Sequence, residues 1–206
     1  DALEGEWIGI AGVVHSGKST VGAVMSGLYD YEGTVKLCGV ELKDIKEVCV
    51  PNFISYMSSK PELFNDTIEN NIALGRSGNI DDALIGADLT RDGISKESLI
   101  SRNTTNLSGG QQKRLEIARA IFSPSKLIVL DDPFNAVDVE MAKEILSELR
   151  ERTQKSILVI VSCNKEILSM CDKVLFLSKS KAQYDTYPHL LNKSEEFGKL
   201  MEGDIK

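Results

Sequence analysis

The stretch GVVHSGKST, residues 12–20, matches the pattern G-x-x-x-x-G-K-[ST] at every fixed position. It follows a short apolar run, residues 7–11, and precedes residues 18–29, in which apolar side chains recur at helical spacing. A strand before this pattern and a helix after it are the setting that the motif requires. Glycines let the backbone curl so that its N–H groups converge on phosphate oxygens at the helix N-terminus. The sequence therefore predicts a phosphate-binding loop here.

The residues of this loop have separate predicted contacts with a nucleotide. We expect Lys18 to contact the β- and γ-phosphates of ATP, and Ser19 to bind Mg²⁺. The other predicted nucleotide contacts in the loop are Gly12, His15, Ser16, Gly17 and Thr20. The alternative is a glycine-rich turn that binds nothing. With glycine at about 7% of residues, the pattern arises by chance in roughly one chain of this length in a hundred.

A second apolar run, residues 127–130, ends in Asp131 and Asp132. Such a run is typical of a parallel strand buried on both faces, and ligands bind at the carboxyl ends of strands in such sheets. Asp131 has the residue type and setting of the metal-binding aspartate of phosphate-loop proteins. Its alternative role is a strand-ending turn or a helix cap. We predict that Ser19 and Asp131 are the protein ligands of Mg²⁺.

Composition restricts the class of protein. The chain has 206 residues with 24 basic and 31 acidic side chains, a net charge of −7, and an apolar content of 42%. These values are those of an ordinary soluble globular domain, and the acidic balance predicts no nucleic-acid partner. Four cysteines without C-x-x-C spacing indicate reduced thiols in a cytosolic compartment. The apolar runs have the length of strands, so we expect any membrane role to act through a partner.

The rest of the chain alternates predicted strands and helices. The predicted strands cover residues 34–38, 53–57, 127–132, 156–161 and 173–177. The predicted helices begin at a capping box over residues 66–69 and cover 80–87, 95–100, a long segment after 107–111, 139–149, a short segment around Ile167, and two segments within 187–201, the second capped by Ser194. The predicted fold class is α/β, with a mostly parallel sheet. Residues 1–58 and 107–206 would form the phosphate-loop core, and residues 59–106 approximately a helical subdomain.

Four segments in this order resemble the nucleotide-binding domain of ABC transporters. They are the phosphate loop, the signature LSGGQ at residues 107–111, the strand at 127–132, and NAVD at 135–138. The signature is close to diagnostic of that family, and the resemblance covers essentially the whole chain. Residues 64–72 and 186–191 look most like the first such domain of C-subfamily exporters, the multidrug-resistance-associated proteins.

The resemblance implies a head-to-tail dimer with a second nucleotide-binding domain and two ATP molecules at the interface. Each ATP, with its Mg²⁺, would be held by the phosphate loop of one domain and by the signature of the other. The signature contacts would come from Ser108, Gly109, Gly110 and Gln111. Ser108 and Gln111 also fit a local capping box, and the two roles are compatible because a helix N-terminus is an anion site. The other implied partners are the transmembrane domains of the same transporter, at the cytoplasmic face of a membrane.

Three positions depart from the family pattern, and all belong to the implied catalytic site. Ser59 replaces a metal-binding glutamine, Asp132 replaces the catalytic glutamate, and Cys163 replaces a histidine near the γ-phosphate. Aspartate retracts the carboxylate by about 1 Å, a displacement that can cost about 100-fold in rate. Cysteine is a weak hydrogen-bond donor, and serine is too short to replace glutamine. We therefore expect a site that binds ATP and hydrolyses it slowly.

The chain begins eleven residues before Gly12, whereas the family stacks adenine on an aromatic residue further upstream. The antiparallel β region is therefore expected to be truncated, and Trp7 is predicted to be a core residue. Two other functions remain open. One is a regulatory ATP-binding module of a channel or receptor that does not hydrolyse ATP, and the other is a soluble ABC-type ATPase. A phosphate-loop kinase is disfavoured because it would leave the signature unexplained.

Overall fold

The computed structural model describes residues 1–60, 62–101, 107–178 and 181–205. Its centre is a six-stranded sheet built from β1 (Trp7–Gly12), β4 (Ile54–Met57), β5 (Leu127–Asp131), β6 (Ile157–Val161), β7 (Lys173–Leu177) and β8 (Ala182–Asp185). The strand order is β4-β5-β6-β1-β7-β8, and only β8 runs antiparallel to its neighbour. A separate hairpin pairs β2 (Lys36–Leu37) with β3 (Val40–Glu41). The predicted α/β class with a mostly parallel sheet is confirmed.

Eight α-helices connect and cover the strands in the part of the chain that is described. They are α1 (Lys18–Met25), α2 (Ile68–Ala73), α3 (Ile80–Gly86), α4 (Gly109–Ile121), α5 (Val139–Arg152), α6 (Lys165–Ser169), α7 (Tyr187–Lys193) and α8 (Glu195–Glu202). Short 3₁₀ helices cover Leu42–Asp44, Glu47–Asn52 and Thr90–Asp92. Among the described residues, no helix has both the length and the apolar character needed to span a bilayer.

Both faces of the central strands β1, β5 and β6 are buried, which explains their continuous apolar sequences. Alternate side chains of one strand enter different cores: Trp7 and Ala11 pack with the large cluster beneath α2 to α8, and Ile8 and Ile10 pack with α1 and the hairpin. Trp7 is fully buried, as predicted. Its indole Nε1 donates to Thr153 Oγ1 at 3.0 Å, so burial leaves its polar atom satisfied.

The predicted helix over residues 95–100 is wrong. The backbone carbonyls of Lys96 and Ser98 instead accept hydrogen bonds from Glu69 N and Ile68 N, each at 2.9 Å. These donors lie in the first turn of α2 and have no partner within the helix, so the neighbouring segment caps them.

Other observed element boundaries differ from the predicted ones. Thr67, not Asp66, is the N-cap of α2, with Thr67 Oγ1 accepting from Asn70 N at 3.1 Å. Asp66 lies one residue earlier and accepts from the Thr67 amide at 2.7 Å. The helix after the phosphate loop ends at Met25, four residues before its predicted end. Strand β8 was not predicted, because its four residues AQYD contain only two apolar side chains, too short a run to be recognised as an alternating strand.

Helices α2 and α3 pack beside α4, outside the sheet, and form the helical insert that the sequence predicted. The C-terminal boundary of the predicted subdomain, at residue 106, lies outside the described residues.

Candidate nucleotide-binding site

The phosphate loop is held tightly against the sheet. A Cβ atom on Gly12 would lie 2.4 Å from the Leu177 carbonyl oxygen and 2.5 Å from Ser16 Oγ, so only glycine fits there. Gly17 is the N-cap of α1 with φ 88°, a left-handed conformation that glycine adopts without steric cost. His15 also has a positive φ of 64° and is exposed. Close packing on β7 and these turns carry the chain from β1 into α1.

Two polar groups in the loop fit a phosphate ligand. The Lys18 ammonium donates to the carbonyl oxygens of Gly12 at 2.8 Å and Val13 at 2.9 Å, which keeps the charge over the loop. The hydroxyl oxygen of Ser16 is buried and has no hydrogen-bond partner among the described residues. Buried polar atoms without a partner are uncommon in folded proteins, and a phosphate oxygen would satisfy this one.

The two predicted metal ligands are in direct contact. Ser19 Oγ, at the start of α1, donates to Asp131 Oδ1, at the end of β5, at 3.1 Å. Asp131 is only 2% exposed. Burial raises the pKa of its carboxyl, while the Ser19 hydrogen bond and nearby lysines oppose that shift. Hydroxyl and carboxylate oxygens are hard ligands, and Mg²⁺ commonly takes only one or two of them together with phosphates and water.

The carboxyl ends of β5 and β6 bring two further predicted residues to this edge of the sheet. Asp132 follows Asp131 with a positive φ of 51°, and its amide donates to Val161 O at 3.0 Å. Cys163 follows β6, is exposed, and lies with Sγ 3.4 Å from Gly12 O. Cys163 therefore lies against the phosphate loop, and Asp132 lies at the same edge of the sheet.

Tyr56, which the sequence analysis missed, belongs to the same edge. It lies near the end of β4, and burial together with the nearby Asp131 charge raises its pKa to about 12. The signal that could have found it is position: β4 and β5 pair in parallel, so their C-terminal residues share an edge.

The remaining predicted residues of this region are more open. Thr20 is exposed in the first turn of α1. Ser59 is exposed two residues after β4, and its carbonyl accepts a hydrogen bond from the buried Lys113 ammonium.

Three charged residues on one side of α4 hold the segment around Ser59. Besides Lys113, Glu116 Oε1 accepts from Glu62 N at 2.8 Å, and Arg119 donates to Glu62 O at 2.9 Å. Lys113 and Glu116 are each only 4% exposed. The sequence signal for this role is the i, i+3, i+6 spacing of charges on a helix that also carries an apolar face. The backbone after β4 is thereby tied to α4.

The signature segment forms the N-terminus of α4. Ser108 Oγ accepts from Gln111 N at 3.2 Å, and Gln111 Oε1 accepts from Ser108 N at 2.9 Å, which confirms the predicted capping box. A Cβ atom on Gly110 would lie 2.9 Å from Ala136 O, and one on Gly109 would lie 3.8 Å from Ala136 Cβ. Within the described residues, no hydrogen bond or ion pair joins the signature to the phosphate loop of the same chain.

Together, the mostly parallel sheet, the glycine loop opening α1 and the buried aspartate at the next strand end define the phosphate-loop class of nucleotide-binding domains. The family model described as ABC transporter matches residues 1–135. The chain belongs to the ABC transporter family.

Relatives of known name agree with this assignment. The ATP-dependent lipid A-core flippase of Pseudoalteromonas atlantica is 30% identical over 187 residues, which are 86% of this chain and 32% of the flippase. The flippase of the same name from Haemophilus influenzae is 31% identical over 183 residues, 84% of this chain and 31% of its own length. The chain thus spans about a third of the length of the relatives it matches.

A solved structure supports the fold. The structure titled a bacterial Atm1-family ABC exporter with ATP bound superposes with a TM-score of 0.89 at 23% identity, covering 97% of this chain and 37% of that chain. At this identity the likeness concerns the fold alone.

Proposed function

We propose that the chain is the ATP-binding domain that powers an ABC exporter, and that it hydrolyses ATP slowly. The observation that carries this proposal is the contact between Ser19 and Asp131 beside the folded Lys18 side chain. It joins a phosphate cradle to a pair of hard oxygen ligands at one edge of the sheet. In this proposal residues 59–106 approximately are the helical subdomain, and the remainder is the core.

ATP and Mg²⁺ are the proposed ligands, and the metal would neutralise charge that develops on the transferred phosphoryl group. Lys18 exchanges its two carbonyl partners for phosphate oxygens. Ser16 gains the partner that its buried hydroxyl lacks. Ser19 and Asp131 hold the metal, and the N–H groups at the start of α1 face the phosphates.

Slow hydrolysis follows from the groups around the reacting phosphate. The Asp132 carboxylate is one methylene shorter than the glutamate of the family pattern, and Cys163 occupies the position next to Gly12 with a weak donor. Ser59 is exposed and is held through its backbone carbonyl. It lacks the long amide side chain of the glutamine in the family pattern. All three changes affect the same reaction centre, where a general base alone contributes about 10²- to 10⁴-fold to the rate of hydrolysis.

Head-to-tail pairing with a second nucleotide-binding domain is the second part of the proposal. The signature forms an intact capped helix N-terminus, yet makes no described hydrogen bond to its own phosphate loop. Such a surface is suited to receive phosphate from another domain. Transmembrane domains of the same transporter, at the cytoplasmic face of a membrane, complete the proposed assembly.

The kind of exporter is also a proposal. Residues 64–72 and 186–191 favour the C subfamily, whereas the matched relatives are named lipid A-core flippases, and export is the common element. A regulatory module that binds ATP without hydrolysing it is the alternative, favoured by the same three substitutions. Measuring ATP turnover with the cognate second domain separates the two, because the regulator predicts none.

The test of nucleotide binding is Lys18→Ala, measured by titration calorimetry with Mg²⁺ and ATP. Removing one partner of a desolvated charge pair costs about 2 to 5 kcal/mol, so Kd should rise by roughly 30- to several thousand-fold. The matched control is Lys36→Ala, since Lys36 is exposed on β2. Equal ATP affinity in the two variants would refute nucleotide binding through this loop.

A further inference from the structure

Asp92, in the short 3₁₀ helix Thr90–Asp92 of the insert, contacts the signature helix through two side chains. Its Oδ2 accepts from Gln111 Nε2 at 3.1 Å, and the same oxygen accepts a hydrogen bond from the Arg114 guanidinium. Arg114 has 5% of its side chain exposed and Asp92 has 22%, so this ion pair is largely shielded from solvent. Shielded, charge-assisted contacts hold geometry better than exposed ones.

The contact fixes the orientation of the Gln111 amide. Gln111 Oε1 accepts from the Ser108 amide at 2.9 Å, while its Nε2 donates to Asp92. The two ends of one planar amide therefore join the insert to the capping box. Without Asp92, the Gln111 side chain loses the partner that holds its nitrogen, and the cap at Ser108 loses its support.

No other described carboxylate lies as close to the Arg114 guanidinium as that of Asp92. The other described partners of Arg114 are the Asp88 carbonyl and the Asp88 carboxylate, the latter at 4.0 Å. Its Nε atom is buried and finds no partner in the part of the chain that the structure describes. Removing Asp92 would leave a buried cation poorly compensated, which is costly. The start of α4 would then shift relative to the insert.

We propose that Asp92 is a positioning residue that sets the orientation of the signature segment. It acts through Gln111 and Arg114. These contacts keep the backbone N–H groups of Gly109 and Gly110 in a fixed common orientation. This inference rests on the proposed function, in which those groups bind the phosphate held by another domain. The insert thereby determines how one domain completes the site of its partner.

The first test is amide hydrogen exchange by NMR on this chain. In Asp92→Ala, exchange at the Ser108 and Gln111 amides should rise at least about tenfold, while the amide of Val129 in β5 stays within about twofold of the native rate. Asp81→Ala is the matched control, because Asp81 lies in the same insert and pairs with Lys96 at 3.2 Å. Unchanged exchange at Ser108 and Gln111, or an equal rise at Val129, would overturn the inference.

The second test is the ATPase rate at the partner's site in the dimer with the second domain. We expect Asp92→Ala to lower kcat at least about tenfold and Asp92→Asn, which keeps one acceptor, to lower it less, with ATP affinity of the isolated chain within about twofold of native. Gly109→Asp serves as the reference. If Gly109→Asp stops the partner's turnover and Asp92→Ala does not, the positioning inference fails alone. If Gly109→Asp also leaves turnover intact, the composite site of the proposed function fails.

Discussion

Replacing Gly12 with alanine should destabilise the whole domain, because this glycine is where β1, β7 and the phosphate loop meet. The added methyl would lie 2.4 Å from Leu177 O, 3.1 Å from Leu177 Cβ and 2.5 Å from Ser16 Oγ. The nearest atom is backbone in a paired strand and cannot rotate away. Overpacking costs about 1 to 3 kcal/mol, and a backbone obstacle places this case near about 3 kcal/mol. For a domain of this size that corresponds to a fall in Tm of roughly 6 to 12 °C.

Urea unfolding provides the assay, since the single tryptophan, Trp7, is buried at the other end of β1 and reports on the core. The matched control is Gly198→Ala, in the interior of α8, where a Cβ meets nothing within 4 Å. That variant should be more stable than the native chain by up to about 1 kcal/mol, from helix propensity. A native urea midpoint for Gly12→Ala would refute the close approach of the loop to β7.

Two further outcomes are expected. In the assembled dimer, Asp132→Glu should raise the ATPase rate more than any other single change, by up to about 100-fold. Cys163→His should give the second-largest increase. A brisk ATPase rate of the native sequence would contradict the geometric explanation. At Asp172, burial raises the carboxyl pKa, but hydrogen bonds from Arg150 and the Trp7 amide outweigh it and hold the pKa below its usual value. Its carboxylate therefore stabilises the fold above the unfolded-state pKa of about 3.9, and this contribution is lost as the pH falls through the lower folded-state value. The stability difference between native and Asp172→Asn, measured by urea unfolding, should shrink as the pH is lowered from 6 to about 2.5, and a constant difference would contradict this assignment.

Local patterns determined much of this protein. The glycine loop, its strand and its helix are specified by neighbouring residues, and so is the Ser108–Gln111 capping box, whose partners are three positions apart. The apolar strands at 127–131 and 157–161 could be predicted for the same reason, since burial on both faces gives a continuous run. Short polar elements could not be predicted in this way. The alternation in β8 extends over four residues only, and the backbone of residues 96–98 accepts hydrogen bonds from the first turn of α2 instead of forming its own helix.

Tertiary structure alone decided which distant residues meet. Ser19 and Asp131 are 112 positions apart, and Gly12 and Cys163 are 151 apart, so their contacts depend on strand order, which local periodicity does not encode. Asp92 illustrates the same limit at shorter range. Its sequence neighbours give no reason to expect a bond to Gln111, and only the packing of the insert on α4 places the two side chains together. Periodicity tells which face of an element is buried, whereas the partner on that face is chosen by the packing of the whole chain.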